Sequence, residues 1–214
     1  MSVVRRPNDG LFDFLDKAGN FVLANLLWVL LSIPLVTLPI ATAGLFATMS
    51  PWSRGKPVEV FRDFFGGMRQ YWRKAMLIGL IDVLLGGLVI LNFSIFRLMK
   101  LPQPLTLVFQ SLTLFVGMTV ILVNLYLWPL LVTLDFPLRN LMETALKLVF
   151  AHPFASIGML LGTLVLLLGS TLLPAIFLLL ASFSACALFS SWGAWRVVRG
   201  YIAEDERSRL ESRH

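Results

Sequence analysis

Few residues in this chain have side chains able to do chemistry, and their spacing limits what that chemistry can be. Asp82 is the only Asp, Glu, Lys or Arg between Ala75 and Phe96. An ionisable group at that depth in an apolar helix costs ~2.5 to 3.5 kcal/mol on insertion scales and normally faces a partner or a water-filled cavity. Asp82 therefore has two readings. It is a proton or cation site, or it is a structural carboxyl, protonated or amide-bonded, against Asn124 or Asn92. Asn25 and Asn124 each suit an interhelical hydrogen bond, worth about a kcal/mol or less. Intramembrane proteolysis would need a second deep carboxylate, or a serine with a buried base. Only one deep Asp exists, and Ser170 has no histidine within any apolar stretch. His152 and His214 are too few for a histidine-based metal site, and no phosphate-binding loop, zinc-ligand spacing or dinucleotide fingerprint is present. Cys186, the single cysteine, reads as a small buried side chain that can form no internal disulfide. The expectation is a chain with no catalytic, cofactor-binding or metal-binding residues, in which Asp82, Asn92 and Asn124 form a candidate intramembrane polar site.

The elements that must position these residues follow from where the charges are missing. Of 214 residues, 57% are hydrophobic and 14% charged, against roughly 25% charged in a soluble domain. No Asp, Glu, Lys or Arg occurs from Ala18 to Ser53, from Leu101 to Leu134, or from Pro153 to Trp195. About 20 apolar helical residues cross a hydrocarbon core of ~30 Å. The last stretch is twice that length and must turn, most easily at Gly169 to Pro174, where glycine relaxes the backbone and proline disfavours helix in the residue before it. The fold class is all-α: a single polytopic membrane helix bundle over 1–214, with about five spans at 18–36, 75–97, 105–133, 154–170 and 174–197. A secretory signal is disfavoured despite Ala41-Thr42-Ala43, because Asp9, Asp13 and Asp16 balance Arg5, Arg6 and Lys17.

Two loops are amphipathic. Val60, Phe61, Phe64, Phe65, Met68, Tyr71 and Trp72 recur at helical spacing, with Arg62, Arg69, Arg73 and Lys74 among the polar positions. Leu138, Leu141, Met142, Ala145, Leu146 and Val149 do the same beside Arg139 and Lys147. These predict interfacial helices at 58–74 and 137–150, lying in the membrane surface with their cations toward lipid headgroups. A shift of 77 residues superposes Arg62-Asp63-Phe64-Phe65 on Arg139-Asn140-Leu141-Met142 and Pro51-Trp52 on Trp128-Pro129, which suggests a tandem parallel repeat. Trp52, Tyr71, Trp72, Trp128, Trp192, Trp195 and Tyr201 fall near span ends, where interfacial aromatics belong.

With five spans, Lys and Arg divide 13 against 5 between alternate sides, placing the C-terminus in the cytoplasm and the N-terminus in the periplasm. Pro34 and Pro39 interrupt the first span, and a re-entrant first segment would change the division to 16 against 2. It would also require the backbone at Pro34 to Ile40 to be sheltered. The net charge of +6 is explained by topology rather than by nucleic acid.

Asn25-Leu-Leu-Trp28, Ser32-Ile-Pro34-Leu-Val-Thr37, Ala41-Thr-Ala43 and Val60-Phe61-Arg62-Asp63-Phe64-Phe65 occur in an order that resembles the YesL-like integral membrane proteins, domain-of-unknown-function family 624. The resemblance implies a multi-pass protein of the bacterial cytoplasmic (inner) membrane, often associated with carbohydrate uptake by ABC transporters, and assigns no activity, cofactor or residue role. The chain lacks the glycine expected after Glu143-Thr144-Ala145 in an ABC permease coupling loop. The expectation is therefore a non-enzymatic accessory, with the lipid bilayer and sugar ABC transporter components as partners. The alternative is a small transporter or channel using Asp82 and the proline-broken first span.

Overall fold

In the computed structural model, residues 9–98, 102–134, 136–172 and 181–211 are described, with side chains over 15–95, 102–134, 136–172 and 181–200. Seven α-helices make up these residues: α1 (Asp9–Ser32), α2 (Leu38–Ser53), α3 (Val60–Leu98), α4 (Gln103–Thr133), α5 (Leu138–Ala151), α6 (Pro153–Thr171) and α7 (Phe183–Glu211). Among the described residues four segments are long and apolar enough to cross a membrane: Leu35–Ser53, Val60–Ile95, Gln103–Thr133 and Pro153–Thr171. Their outward faces present Val83, Ile90, Leu114 and Val165, each about two-thirds exposed or more. Apolar surface of that extent requires lipid rather than water. The all-α membrane bundle expected from the sequence is the observed fold.

The first predicted span is replaced by a helical hairpin. Pro34 has an extended backbone, and a proline disfavours helix in the residue before it, so α1 stops at Ser32. A 3₁₀ turn over Leu35–Thr37 follows, and α2 then runs back. The Trp28 indole N–H donates to Thr42 Oγ1 at 3.1 Å, and Phe21 meets Trp52 edge to face, with ring centroids 6.0 Å apart. α1 and α2 are therefore antiparallel, and the Asp9 and Ser53 ends lie on one side. α7 runs parallel to α2, since Phe183 stacks on Trp28 while the Arg54 guanidinium lies over the Trp195 ring. The two ends of the described chain thus leave the bundle on the same side. The segment read as a single span at 18–36 is therefore α1 followed by a reversal into α2, the arrangement that a re-entrant first segment requires.

α2 ends in a Schellman turn: the Lys56 N–H bonds Pro51 O, the Gly55 N–H bonds Trp52 O, and Gly55 takes φ +72°. The chain then enters α3, which has 39 residues without interruption. The interfacial helix predicted at 58–74 is therefore the first part of the helix that continues through 75–97. Only half of its apolar face is outward. Val60, Phe64, Ala75 and Ile78 are buried, whereas Phe61, Phe65 and Trp72 remain about half exposed. The buried half packs on α2 at close range: a Cβ at Gly67 would fall 2.3 Å from the Ala47 Cβ, and one at Gly44 2.8 Å from the Phe64 carbonyl oxygen.

The second amphipathic helix is separate. α5 covers 138–151 and stops at His152 because Pro153 follows, and Pro153 then opens α6. The position 77 residues before Pro153 is Met76, so α3 has no such stop. The repeated order of span, proline near the helix end, amphipathic helix and span is visible on both sides of this difference, with Pro51 near the end of α2 and Pro129 near the end of α4. α6 ends at Thr171, within the predicted turn. Leu173 and Pro174 and the predicted start of the fifth span lie outside the described residues.

Replacing Gly67 with Val should overpack the α2–α3 contact and destabilise the protein by about 1 to 3 kcal/mol. Gly66→Ala, where an added Cβ meets nothing within 4 Å, should leave the melting temperature unchanged or slightly raised, as measured by thermal unfolding in detergent.

Candidate functional site

The sequence reading singled out Asp82 and two candidate partners. The structure chooses between them. Asn124 on α4 donates its Nδ2–H to Asp82 Oδ1 at 2.8 Å and to the Val120 carbonyl at 3.1 Å. Asn92 lies ten residues further along α3, about 15 Å at 1.5 Å per residue, and cannot reach Asp82. The pair sits where helices with few polar side chains leave space on both sides. One cavity, about 270 Å³, lies between α3, α4 and α5 and is lined by Ile78, Asp82, Val123, Asn124, Met142 and Glu143 among others. The other, about 400 Å³, lies between the α1–α2 hairpin, α4, α6 and α7 and includes Trp28, Thr42, Phe46, Trp128, Thr163 and Phe183. Asp82, Val120 and Asn124 border both.

The walls are fixed by bonds that tie the helices together. Asn25 is fully buried and accepts the Ser184 backbone N–H at 2.9 Å. That donor lies just after the π-helical residues 181–182 that precede α7, where the regular helical pattern is broken. Asn25 and Trp28 are three residues apart, so both face α7 from one side of α1. Tyr126 Oη and Ser156 Oγ, 3.1 Å apart, join α4 to α6. Ser50 and Thr133 hydroxyls, 3.3 Å apart, join α2 to α4. Arg54 donates to Ser50 O at 3.1 Å, and its partial burial lowers its pKa below the usual arginine value.

The predicted basic surface is not one patch. Arg62 bridges Glu59 at 2.9 Å and Asp63 at 3.3 Å, Arg73 stacks over Trp72, and Arg69 is exposed. Lys74 reaches across to the Phe136 carbonyl at 2.9 Å and so ties α3 to the segment before α5. On α5, Arg139 bridges Glu143 at 3.0 Å and Lys147 is exposed. Among the described residues no group of three or more His, Cys, Asp or Glu could hold a metal ion.

Trp28, Thr42, Thr163 and Phe183 were not recognisable as site residues from the sequence. The available signal was the Asn25–Trp28 spacing, which puts a polar and an aromatic residue on one helical face. Cys186, read as a small buried residue, is half-buried on the larger cavity.

A helical bundle with outward apolar faces, an internal carboxylate and cavities between its spans defines a polytopic membrane protein. Residues 21–93 match the family described as "Protein of unknown function, DUF624", the same domain-of-unknown-function family 624 that the sequence resembles. The matched segment holds the second half of α1, all of α2 and most of α3, and with them Trp28, Thr42 and Asp82. Comparison with curated proteins and with solved structures gives no match.

Asp82→Leu should lower stability by about 1 kcal/mol, because the Asn124 amide loses an interhelical acceptor. Asp82→Asn, which keeps the shape and an oxygen acceptor, should cost less than half as much in the same thermal unfolding measurement.

Proposed function

We propose that this protein is a non-enzymatic binding protein of the bacterial cytoplasmic membrane that holds a small ligand between its helices at Asp82 and Asn124, and that the two cavities give the ligand a route past this pair. The observation that carries the reading is that one intramembrane carboxylate borders two cavities on opposite sides of itself. A carboxyl with a purely structural role needs its partner and no adjoining space. The volumes, about 270 and 400 Å³, suit a compact organic molecule.

The hairpin supports an orientation. With the Asp9, Arg54, Phe136 and Glu211 ends on one side, the Lys and Arg residues divide 16 against 2, and the positive-inside tendency turns the 16 toward the cytoplasm. Both termini are then cytoplasmic.

The accessory reading, in which the chain serves a carbohydrate ABC uptake system, draws support from a different feature. Phe61, Phe65 and Trp72 stay exposed on α3 beside Arg62, Arg69 and Arg73, a surface suited to lipid headgroups or to a partner's membrane-proximal face. The two readings are compatible, since a ligand-binding subunit can also dock.

Val120 borders both cavities, so Val120→Phe should fill their junction. A thermal-shift screen of the purified protein in nanodiscs, using small cationic, neutral and anionic organic molecules, should find compounds that raise the wild-type melting temperature and lose that effect in Val120→Phe. A wild-type protein indifferent to every charge class, or an undiminished shift in Val120→Phe, would exclude ligand binding at this pair.

A further inference from the structure

The hydrogen bonds of the polar pair specify the chemistry of its ligand, if the pair is a ligand site as proposed above. Asn124 has two amide hydrogens and uses both, on Asp82 Oδ1 and on the Val120 carbonyl. Because both partners accept, the amide nitrogen must face them, and the orientation of the side chain is fixed. Its oxygen, Asn124 Oδ1, is buried and accepts nothing. The other carboxylate oxygen, Asp82 Oδ2, accepts no hydrogen bond among the described residues. Thr163 Oγ1, on the larger cavity, is also buried without a partner. Among the described residues no Lys, Arg or His lines either cavity.

The hydrogen-bonded pair thus carries two free acceptors, one of them on an acid, and no described cationic side chain lines the cavities to meet them. Asn124 Oδ1 is the buried one, and a buried unpaired acceptor costs about 1 to 3 kcal/mol, which a donor arriving from outside would relieve. A hard metal ion is a poor fit, because it takes six or more oxygen ligands and the pair offers two free ones. A group with several N–H donors and a positive charge satisfies both. The rest of the larger cavity describes the other end of such a molecule. Trp28 and Phe183, with centroids 4.1 Å apart, and Phe46 and Trp128, 6.3 Å apart, place two aromatic pairs along its wall, surfaces that attract apolar bodies and cations alike.

We propose that the Asp82–Asn124 pair is the recognition centre for an amphiphilic organic ammonium, whose N–H donors bond Asp82 Oδ2 and Asn124 Oδ1 and whose apolar body lies among Trp28, Phe46, Trp128 and Phe183. The smaller cavity carries a second acid, Glu143, paired with Arg139 on α5.

The test uses three molecules of one shape: 4-phenylbutylamine, 4-phenylbutanol and 4-phenylbutyrate, titrated calorimetrically against the full chain in nanodiscs. The amine should bind the wild type, with the alcohol and the carboxylate weaker by about tenfold or more, the worth of a charge-assisted hydrogen bond. Asp82→Asn should weaken the amine by a similar factor with no more than the small loss of melting temperature given above, and Asp82→Glu should restore part of the affinity. Equal binding of amine and alcohol, or an amine affinity unchanged in Asp82→Asn, would overturn the ammonium assignment while leaving a cavity for apolar ligands. Absence of binding by all three would remove both the assignment and the ligand-site reading beneath it.

Discussion

Hydrocarbon offers no hydrogen bonds, so every backbone group in it must be satisfied by the protein. The break at Pro34 meets this constraint locally. The Thr37 hydroxyl lies within hydrogen-bonding reach of both the Leu31 and Pro34 carbonyls, and the Thr37 N–H bonds Pro34 O at 2.8 Å. These are the acceptors that the end of α1 and the proline leave without helical partners. With them occupied, the chain can reverse among lipid-facing apolar side chains, Ile33 at 71%, Leu35 at 80% and Val36 at 71% exposed. The reversal then inserts α2 as a short helix that packs on α1, α3, α4 and α7.

Most of the bundle follows from that insertion. α2 is made of small residues where it is most enclosed: Ala41, Ala43, Gly44 and Thr48 are all buried. They allow α3 to approach until Gly67 faces Ala47 without room for a side chain. Larger residues hold other neighbours apart, Phe46 in the middle of α2 against Trp128 and Trp52 near its end against Phe21. The space that remains between the hairpin, α4, α6 and α7 is the larger cavity, walled by Trp28 and Thr42 from the two arms of the hairpin. The polar pair and the hairpin are thus parts of one arrangement, although the pair itself belongs to α3 and α4.

Charge-free stretches made the long helices legible, because burial in lipid tolerates so few charges that their absence marks the span. The helix limits at Thr133 and Thr171 fall close to the predicted ones for that reason. The partner of Asp82 was legible as a choice between two amides, and only the antiparallel pairing of α3 with α4 selects Asn124. The hairpin was harder to read. Pro34 and Pro39 announce a break, but whether a broken segment continues or reverses depends on Thr37 and on the Trp28–Thr42 bond, neither of which has a periodic signature. The continuous α3 was missed because amphipathicity reports which face is polar and not whether the helix bends. Here α2 covers half of the apolar face, a partner that lies just after the predicted first span at 18–36 and was assigned to no element.

The central claim is that α1 and α2 form a hairpin, so that the chain at Asp9 and at Glu211 leaves the bundle on the same side. It is tested most directly by paired reporter fusions, one active only in the cytoplasm and one only beyond the membrane, placed in turn ahead of the N-terminus and after the C-terminus in living cells. The hairpin predicts the same compartment for both ends, and the orientation proposed above predicts that it is the cytoplasm. Signals from opposite compartments would mean that the first segment passes straight through, and would contradict both the hairpin and the site built upon it.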